Sequence, residues 1–491
     1  MVYRNFTESL NLNTPDTLQY YLNACPTCVT VLDLHSREIT SLEGVKFPSS
    51  LTELILYHNK INSLKRVTFP HRLKKLDLTS NQITSLKKVK FPSGLMKLNL
   101  NWNQIAPLDS ANFPTKLKEL GLDGNKISSL EGVEFPDSLT ELILSKNRLS
   151  SLEGVEFPLH LTKLNLSDNQ IKSLVGVEFP PGLLELDLVN NKISSLKGVN
   201  FPPGLARLGL SSNQITSLEG VVFPPGLKNL DLYWNPITSL KGVTFPIGLI
   251  ELNLHINKII HFEEVAFPSS LKILYLSNPL ATSLNGVSFP SNLIKLYLNY
   301  PRTTSFTNVS LPSGLKELIL YGSKITSLDG MKYPSGLQTL KLYGFKITSL
   351  DIMKFPRNLK NVCLYWTQIT SLDGVTFPSG LVKLYLNWNL ITSLNGIEFP
   401  SGLTELVLDN NRITSLKGAV FPSSLKKLLL GNNRITSLKG VEFPSGLKEL
   451  ILDNNKITSM KGTLAGNHLP ARYSKKQMKR TRKSINIKTN I

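Results

Sequence analysis

The chain has 491 residues, three cysteines, and 55 Lys and Arg against 35 Asp and Glu, for a formal net charge of +20. No apolar run approaches the roughly 18 residues that cross a membrane, and no apolar core follows Met1-Val2-Tyr3-Arg4-Asn5-Phe6 as it would in a secretory leader. These features exclude a helical membrane protein and a disulfide-stapled secreted module; the expected address is intracellular, cytoplasmic or nuclear, with no membrane partner.

Residues 1–28 stand apart as an N-terminal cap. Thr14-Pro15-Asp16 reads as a helix start, with Thr as N-cap and Pro at the first helical position, followed by Thr17 to Ala24 and stopped by Pro26. Cys25-Pro-Thr-Cys28 has the spacing of a redox pair or of half a zinc site. A tetrahedral site needs four ligands, and no second CxxC or His pair follows. The expected role is a structural cap, with no metal and no cofactor.

From residue 29 to 469 one unit recurs. Aligned on its first leucine it has nineteen starts, Leu51 to Leu447, at a constant step of 22, and Val29 fits one step earlier. Leu183 to Gly204 shows the pattern: apolar residues at positions 1, 4, 6, 11, 14, 17 and 19, Asn at 9 and Pro at 20. A fixed period of this size marks a solenoid. Positions 3 to 7 alternate polar and apolar, as strands do, so residues at 3, 5 and 7 become outward columns on a concave parallel sheet, one strand every ~4.8 Å. Positions 12 to 22, rich in Ser, Gly and Pro, predict turns, extended chain and 3₁₀ segments on the convex side, with Gly at 16 and 22 because turns need it. Position 19 is Phe in seventeen of the nineteen units from Phe47 to Phe443, with Leu311 and Tyr333 the exceptions, which predicts an aromatic spine.

The signature LxxLxLxxNxI resembles the leucine-rich repeat family across most of the chain. The resemblance implies an α/β leucine-rich repeat solenoid, a right-handed horseshoe or arc of about 20 units built as one elongated domain, with residues 470–491 as a tail. The joint Gly440-Val441-Glu442-Phe443-Pro444-Ser445-Gly446-Leu447 is similar to the Leu-Pro-x-x-Leu joint of bacterial effector repeats, and the 22-residue period to arrays of amoebae and of the large DNA viruses that infect them, a viral or host-interaction setting. It further implies that Asn at position 9 bonds backbone groups of adjoining turns. Ten Asn run from Asn59 to Asn257 and four from Asn389 to Asn455; between them stand Pro279, Pro301, Ser323, Phe345 and Thr367.

Those five units collect aromatics. Eight of the fourteen tyrosines fall between residues 271 and 388. Tyr275 and Tyr297 share column 5, Tyr321, Tyr343 and Tyr365 share column 7, and Tyr385, Trp366 and Trp388 lie beside them, flanked by Lys295, Lys341 and Lys383. Tyr and Trp dominate binding hot spots, so Tyr275, Tyr297, Tyr321, Lys341, Tyr343, Tyr365, Trp366, Tyr385 and Trp388 are the candidate partner site. The competing explanation is a copied repeat variant rich in a good strand residue. All four tryptophans, Trp102, Trp234, Trp366 and Trp388, occupy position 8 at the strand exit; for Trp102 and Trp234 a structural role is expected. Position 10 is Lys or Arg in eleven of the nineteen units, a basic stripe that Glu53, Asp77, Asp123, Asp187 and Asp231 in adjoining columns should offset.

Residues 471–491 hold eight Lys or Arg and no acid. Lys475, Lys476, Lys479, Arg480, Arg482 and Lys483 suit a nuclear-import signal or a salt-sensitive grip on nucleic-acid phosphates; a disordered solubilising end is the third reading. Catalysis finds no support, because the seven histidines are scattered and Cys363, facing out in column 5, has no His near it. The expectation is a non-enzymatic scaffold that binds a protein partner through its concave face, with no small-molecule substrate. Two alternatives are a nucleic-acid-associated protein acting through the basic tail, and a ubiquitin-ligase adaptor or effector-like protein. Only about twenty residues follow the repeats, too few for a ligase domain.

Overall fold

The computed structural model describes residues 2–3, 12–106, 108, 111–259, 265–277, 287–304, 309–322, 324–328, 330–350, 353–458 and 471–472. They belong to two compact units, 1–253 and 254–491, each a stack of leucine-rich repeat turns.

In the first unit, helix α1 (Pro15–Asn23) starts where Thr14 and Thr17 cap each other. The Thr14 hydroxyl accepts the Thr17 N–H at 3.3 Å and the Thr17 hydroxyl accepts the Thr14 N–H at 3.2 Å. Leu18, Tyr21 and Leu22, three and four residues apart on one face, are its buried side chains. Gln19 ties the helix to the first turns by accepting the Lys46 N–H at 2.6 Å. Cys25 is buried and Cys28 exposed, both as free thiols; burial first, and then Cys28, pushes the Cys25 thiol above its usual range.

The strands run parallel from Val31–Asp33 to Asn229–Asp231, three residues each, and Val2–Tyr3 pairs with Val31 and Leu32 at the sheet edge. Successive strands pair at the repeat step, so Leu186 faces Leu208 and Leu208 faces Leu230. A one-residue slip would turn the leucines to water. Leu205, Leu208, Leu210, Ile215 and Leu218, at positions 1, 4, 6, 11 and 14 of one turn, are all at most 1% exposed. At roughly 1.5–3 kcal/mol for each fully buried aliphatic side chain, the stack rather than the single turn supplies the stability.

Two tight turns close each unit on the side away from the strands. The position-17 N–H bonds the position-14 carbonyl (Val199 to Leu196, 3.2 Å), and the next position-1 N–H bonds the Pro carbonyl (Leu205 to Pro202, 3.0 Å). Glycines at position 16 have φ of 70° to 80°, where a Cβ is strained. Those at position 22 do not share that conformation, and some serve clearance instead: a Cβ on Gly226 would lie 2.7 Å from the Pro203 carbonyl oxygen. The aromatic spine is present as stacked pairs, Phe157–Phe179–Phe201 and Phe223–Phe245 among them, at 6.1 to 6.3 Å between centroids.

Asn at position 9 bonds as the family resemblance implies. Asn213 donates from Nδ2 to the Leu210 carbonyl of its own turn at 3.1 Å and to the Leu188 carbonyl one turn back at 2.9 Å, while Oδ1 accepts the Ile193 N–H at 3.0 Å. Backbone groups that no strand partner could reach are thereby paired inside the core.

In the second unit the strands from Lys383–Tyr385 to Glu449–Ile451 keep this three-residue form. The spine stacks again from Phe355 through Phe377, Phe399 and Phe421 to Phe443. Ala471–Arg472 pairs with Leu450 and Ile451, one residue off the 22-residue step. Five strands differ: Ile273–Ser277, Lys295–Asn299, Glu317–Tyr321, Thr339–Tyr343 and Asn361–Tyr365 are each five residues long. They lie in the turns that lose Asn. Phe345 fills that position with no exposure, Thr367 does so at 1%, and Tyr300, one position earlier in its turn, is also fully buried.

Candidate binding face

The longer strands carry the tyrosines into one row. Tyr275 and Tyr297 pair in register at position 5, and Tyr321, Tyr343 and Tyr365 at position 7. Strand-face side chains reach across columns as well as along them, so the two sets meet. Ring centroids are 5.8 Å apart for Tyr275–Tyr297, 5.2 Å for Tyr297–Tyr321, 4.3 Å for Tyr321–Tyr343, 5.0 Å for Tyr343–Tyr365 and 6.3 Å for Tyr365–Tyr385. His255 extends the row, its ring edge-on to Tyr297 at 4.6 Å and its Nε2 3.4 Å from the Tyr297 hydroxyl. Tyr321 and Tyr343 are nearly coplanar in stacking, with 9° between rings.

All six tyrosines are half-buried. Tyr343 lies beside Tyr321, Tyr365 beside Cys363, and Tyr385 beside Glu405. Burial, then the neighbouring Tyr321, pushes the Tyr343 phenol up to about 12; burial also raises Tyr365 and Tyr385. Burial lowers His255 to about 4, so near neutral pH the row is uncharged.

Two side chains differ from their sequence-based assignment. Cys363 lies in column 5 but is 4% exposed rather than outward in solvent, between Lys341 and Tyr385 in register and beside Tyr365. Burial pushes its thiol up to about 11. Lys341 is held by Glu317 at 2.7 Å, and Glu317 also takes Lys295 at 3.7 Å. Lys383 meets Glu405 at 3.4 Å. These flanking lysines brace the sheet.

The tryptophans sit at strand exits in the left-handed conformation, φ 51° at Trp366 and 60° at Trp388, which throws the side chain clear of the core. Both are exposed, 58% and 50%, and touch edge-to-face at 6.0 Å. Trp102, 51% exposed, also lies against the next turn: Lys146 is 4.8 Å over its ring, and a Cβ on Gly124 would come within 2.8 Å of it.

The first unit has a strand face of another kind, which sequence reasoning did not single out. A groove of about 470 Å³ is lined by Glu185, Asp187, Asp231 and Glu251, with Lys163 and Arg207 among them. Burial raises the Asp187 and Asp231 carboxyls above their usual range. Gly209 opens the groove between them, since a Cβ there would meet Asp187 Oδ1 at 3.1 Å. A glycine in an outward column was the available signal. Lys475, Lys476, Lys479, Arg480, Arg482 and Lys483 lie outside the described residues. Among the described residues no helix is long and apolar enough to cross a membrane.

Stacked turns with an inward leucine core, an asparagine ladder and a patterned outer strand face define a leucine-rich repeat protein. The chain belongs to that family: a leucine-rich repeat model matches residues 71–127, 115–171 and 401–457, and a BspA-type leucine-rich repeat region model matches 276–388. The second match falls on the five-residue strands and the tyrosine row, so this block is a distinct repeat type within the array. Among solved structures, the bacterial effector YopM from Yersinia enterocolitica WA-314 is 24% identical, covering 96% of this chain and 100% of its own, with a TM-score of 0.56. The giant-virus protein CroV588, described as a circular leucine-rich repeat structure, is 21% identical over 92% of this chain and 73% of its own, with a TM-score of 0.60. Both likenesses are likenesses of fold. No curated protein matches in sequence.

Proposed function

We propose that the chain is a non-enzymatic scaffold that binds a protein partner through the strand face of its second unit. The observation that carries this reading is the exposed Trp366–Trp388 pair beside a row of tyrosines already held rigid by stacking. Large aromatic area that loses little side-chain entropy on binding is what hot spots are made of. Neither tryptophan is needed by the core, and a strand exit with φ near 55° is easier for Asn than for Trp.

The test is a comparison of the wild-type chain with the double variant Trp366→Asn, Trp388→Asn as bait in affinity capture. The variant is expected to lose the specific protein partners while its stability stays within about 0.5 kcal/mol, as for other surface changes. Equal capture by a folded variant refutes the assignment.

A further inference from the structure

The charge around the tyrosine row specifies the partner's chemistry. Residues 271–388 contain twelve Lys and Arg and four Asp and Glu, a net +8. At the strand-face positions of these turns the single acid is Glu317, already taken up by Lys295 and Lys341. At position 10, Arg302, Lys324 and Lys346 occupy three consecutive turns, all exposed and, among the described residues, none in an ion pair.

Elsewhere three members of the same column are paired. Lys60 pairs with Glu38, and Lys126 and Lys192 donate to Gln104 and Gln170 at 3.0 and 3.4 Å. A second run, Arg412, Arg434 and Lys456, has Asp409 and Asp453 in column 7 of its turns; the first run has Asn299, Tyr321 and Tyr343 there instead, with Tyr365 in the next turn. Three like charges about 4.8 Å apart per turn, with no ion-pair partner among the described residues, attract an anion.

The rings decide which anion. The faces of Tyr321, Tyr343 and Tyr365 are covered by one another at 4.3 and 5.0 Å, so nucleobases cannot use them as stacking platforms. What the row presents outward is ring edges, the positive part of the aromatic quadrupole. Ring edges beside ammonium and guanidinium groups suit carboxylates.

We propose that the strip formed by Tyr321, Tyr343 and Tyr365 with Arg302, Lys324 and Lys346 binds an extended, carboxylate-rich segment of a polypeptide. This rests on the protein-binding reading above and names the partner's class. The strip's four strands, from Lys295–Asn299 to Asn361–Tyr365, span about 14 Å at ~4.8 Å each, the reach of about four extended residues.

The experiment measures fluorescence anisotropy of labelled decaglutamate and of a labelled dT20 single strand with the full chain. Three proteins are compared: wild type, R302E/K324E/K346E, and the control reversal R412E/R434E/K456E, which changes net charge equally. The first reversal is expected to weaken decaglutamate binding at least tenfold and the control less than twofold, while dT20 responds alike to both. If the reversal fails to fold, R302Q/K324Q/K346Q replaces it, since Gln82 and Gln104 already occupy this column.

Equal losses of decaglutamate from both reversals overturn the proposal, as does no binding of decaglutamate. A greater loss for dT20 than for decaglutamate also overturns it and makes the strip a nucleic-acid surface. If decaglutamate fails while the tryptophan variant still loses its captured partners, the protein-binding reading stands and only the acidic class falls.

Discussion

The asparagine-laddered turns of the first unit and the tyrosine-rowed turns 271–388 of the second hold their neighbours by opposite means. In the first, cohesion beyond the leucines is buried and polar: each Asn reaches into the previous turn and pairs groups that water cannot. In the second that position holds Pro, Ser, Phe or Thr, the strands lengthen from three residues to five, and tyrosines stack across the outer face. The asparagine is therefore one solution to inter-turn pairing, replaceable where a longer strand and an outer aromatic row take over. A face occupied in this way is rigid before any partner arrives.

The sharpest way to break the comparison is Asn213→Ala. It orphans the Ile193 N–H and takes one of two donors from the Leu188 and Leu210 carbonyls, which keep Asn191 and Asn235; at ~1–3 kcal/mol for an unpaired buried group, chemical denaturation should show a loss of about 1–3 kcal/mol. A loss below about 1 kcal/mol would mean that water or backbone movement replaces the ladder.

Cys363 gives the next largest effect. With its thiol raised from 9.0 to about 11, the thiolate fraction at pH 8 falls about a hundredfold, and burial adds to the protection. Iodoacetamide should modify Cys363 at least that much more slowly in the native chain than in urea, followed by peptide mass spectrometry. Comparable rates would place the thiol in solvent and dissolve the row around it.

Tyr343→Leu removes two stacked contacts, at ~0.5–1.5 kcal/mol each beyond area burial, so a loss of about 1–3 kcal/mol is expected by denaturation. No measurable loss would make the stacking incidental and leave the rings to a partner alone.

The smallest effect is a pH dependence. Burial lowers His255 from 6.5 to about 4, so between those values the unfolded chain binds a proton that the folded chain does not. Its contribution to stability is present above about pH 6.5 and is lost as the pH falls toward 4. His255→Phe keeps an edge-to-face partner for Tyr297 and cannot titrate. The difference between wild type and this variant should therefore narrow toward pH 7 and widen toward pH 4 in the wild type's disfavour, and a constant difference would rule out His255 as the titrating group.

Much of the fold could be read from spacing. The step of 22, the inward positions, the phenylalanine spine and the asparagine bonds all follow from side chains that repeat and must be buried or paired. The tyrosines were legible as two columns, 5 and 7. Their union into one row was not, because it depends on ring reach across the sheet and on strand extension. Lys341 read as a flanking charge and proved to be a brace, since the two-column step to Glu317 is a matter of rotamer. Cys363 read as outward because column 5 is outward; bulky neighbours on three consecutive strands cover it.

The sequence by itself determined the repeat, its register and the layer to which each position belongs, because periodic burial admits one alignment. Only the tertiary structure decided what the outward columns do. Neighbouring strands lie closer together than a tyrosine or lysine side chain is long, so each outward residue meets partners from turns 22 or 44 residues away, and which of them it meets is settled by packing. Trp366, Trp388, Arg302, Lys324 and Lys346 are what that packing leaves uncovered beside the row.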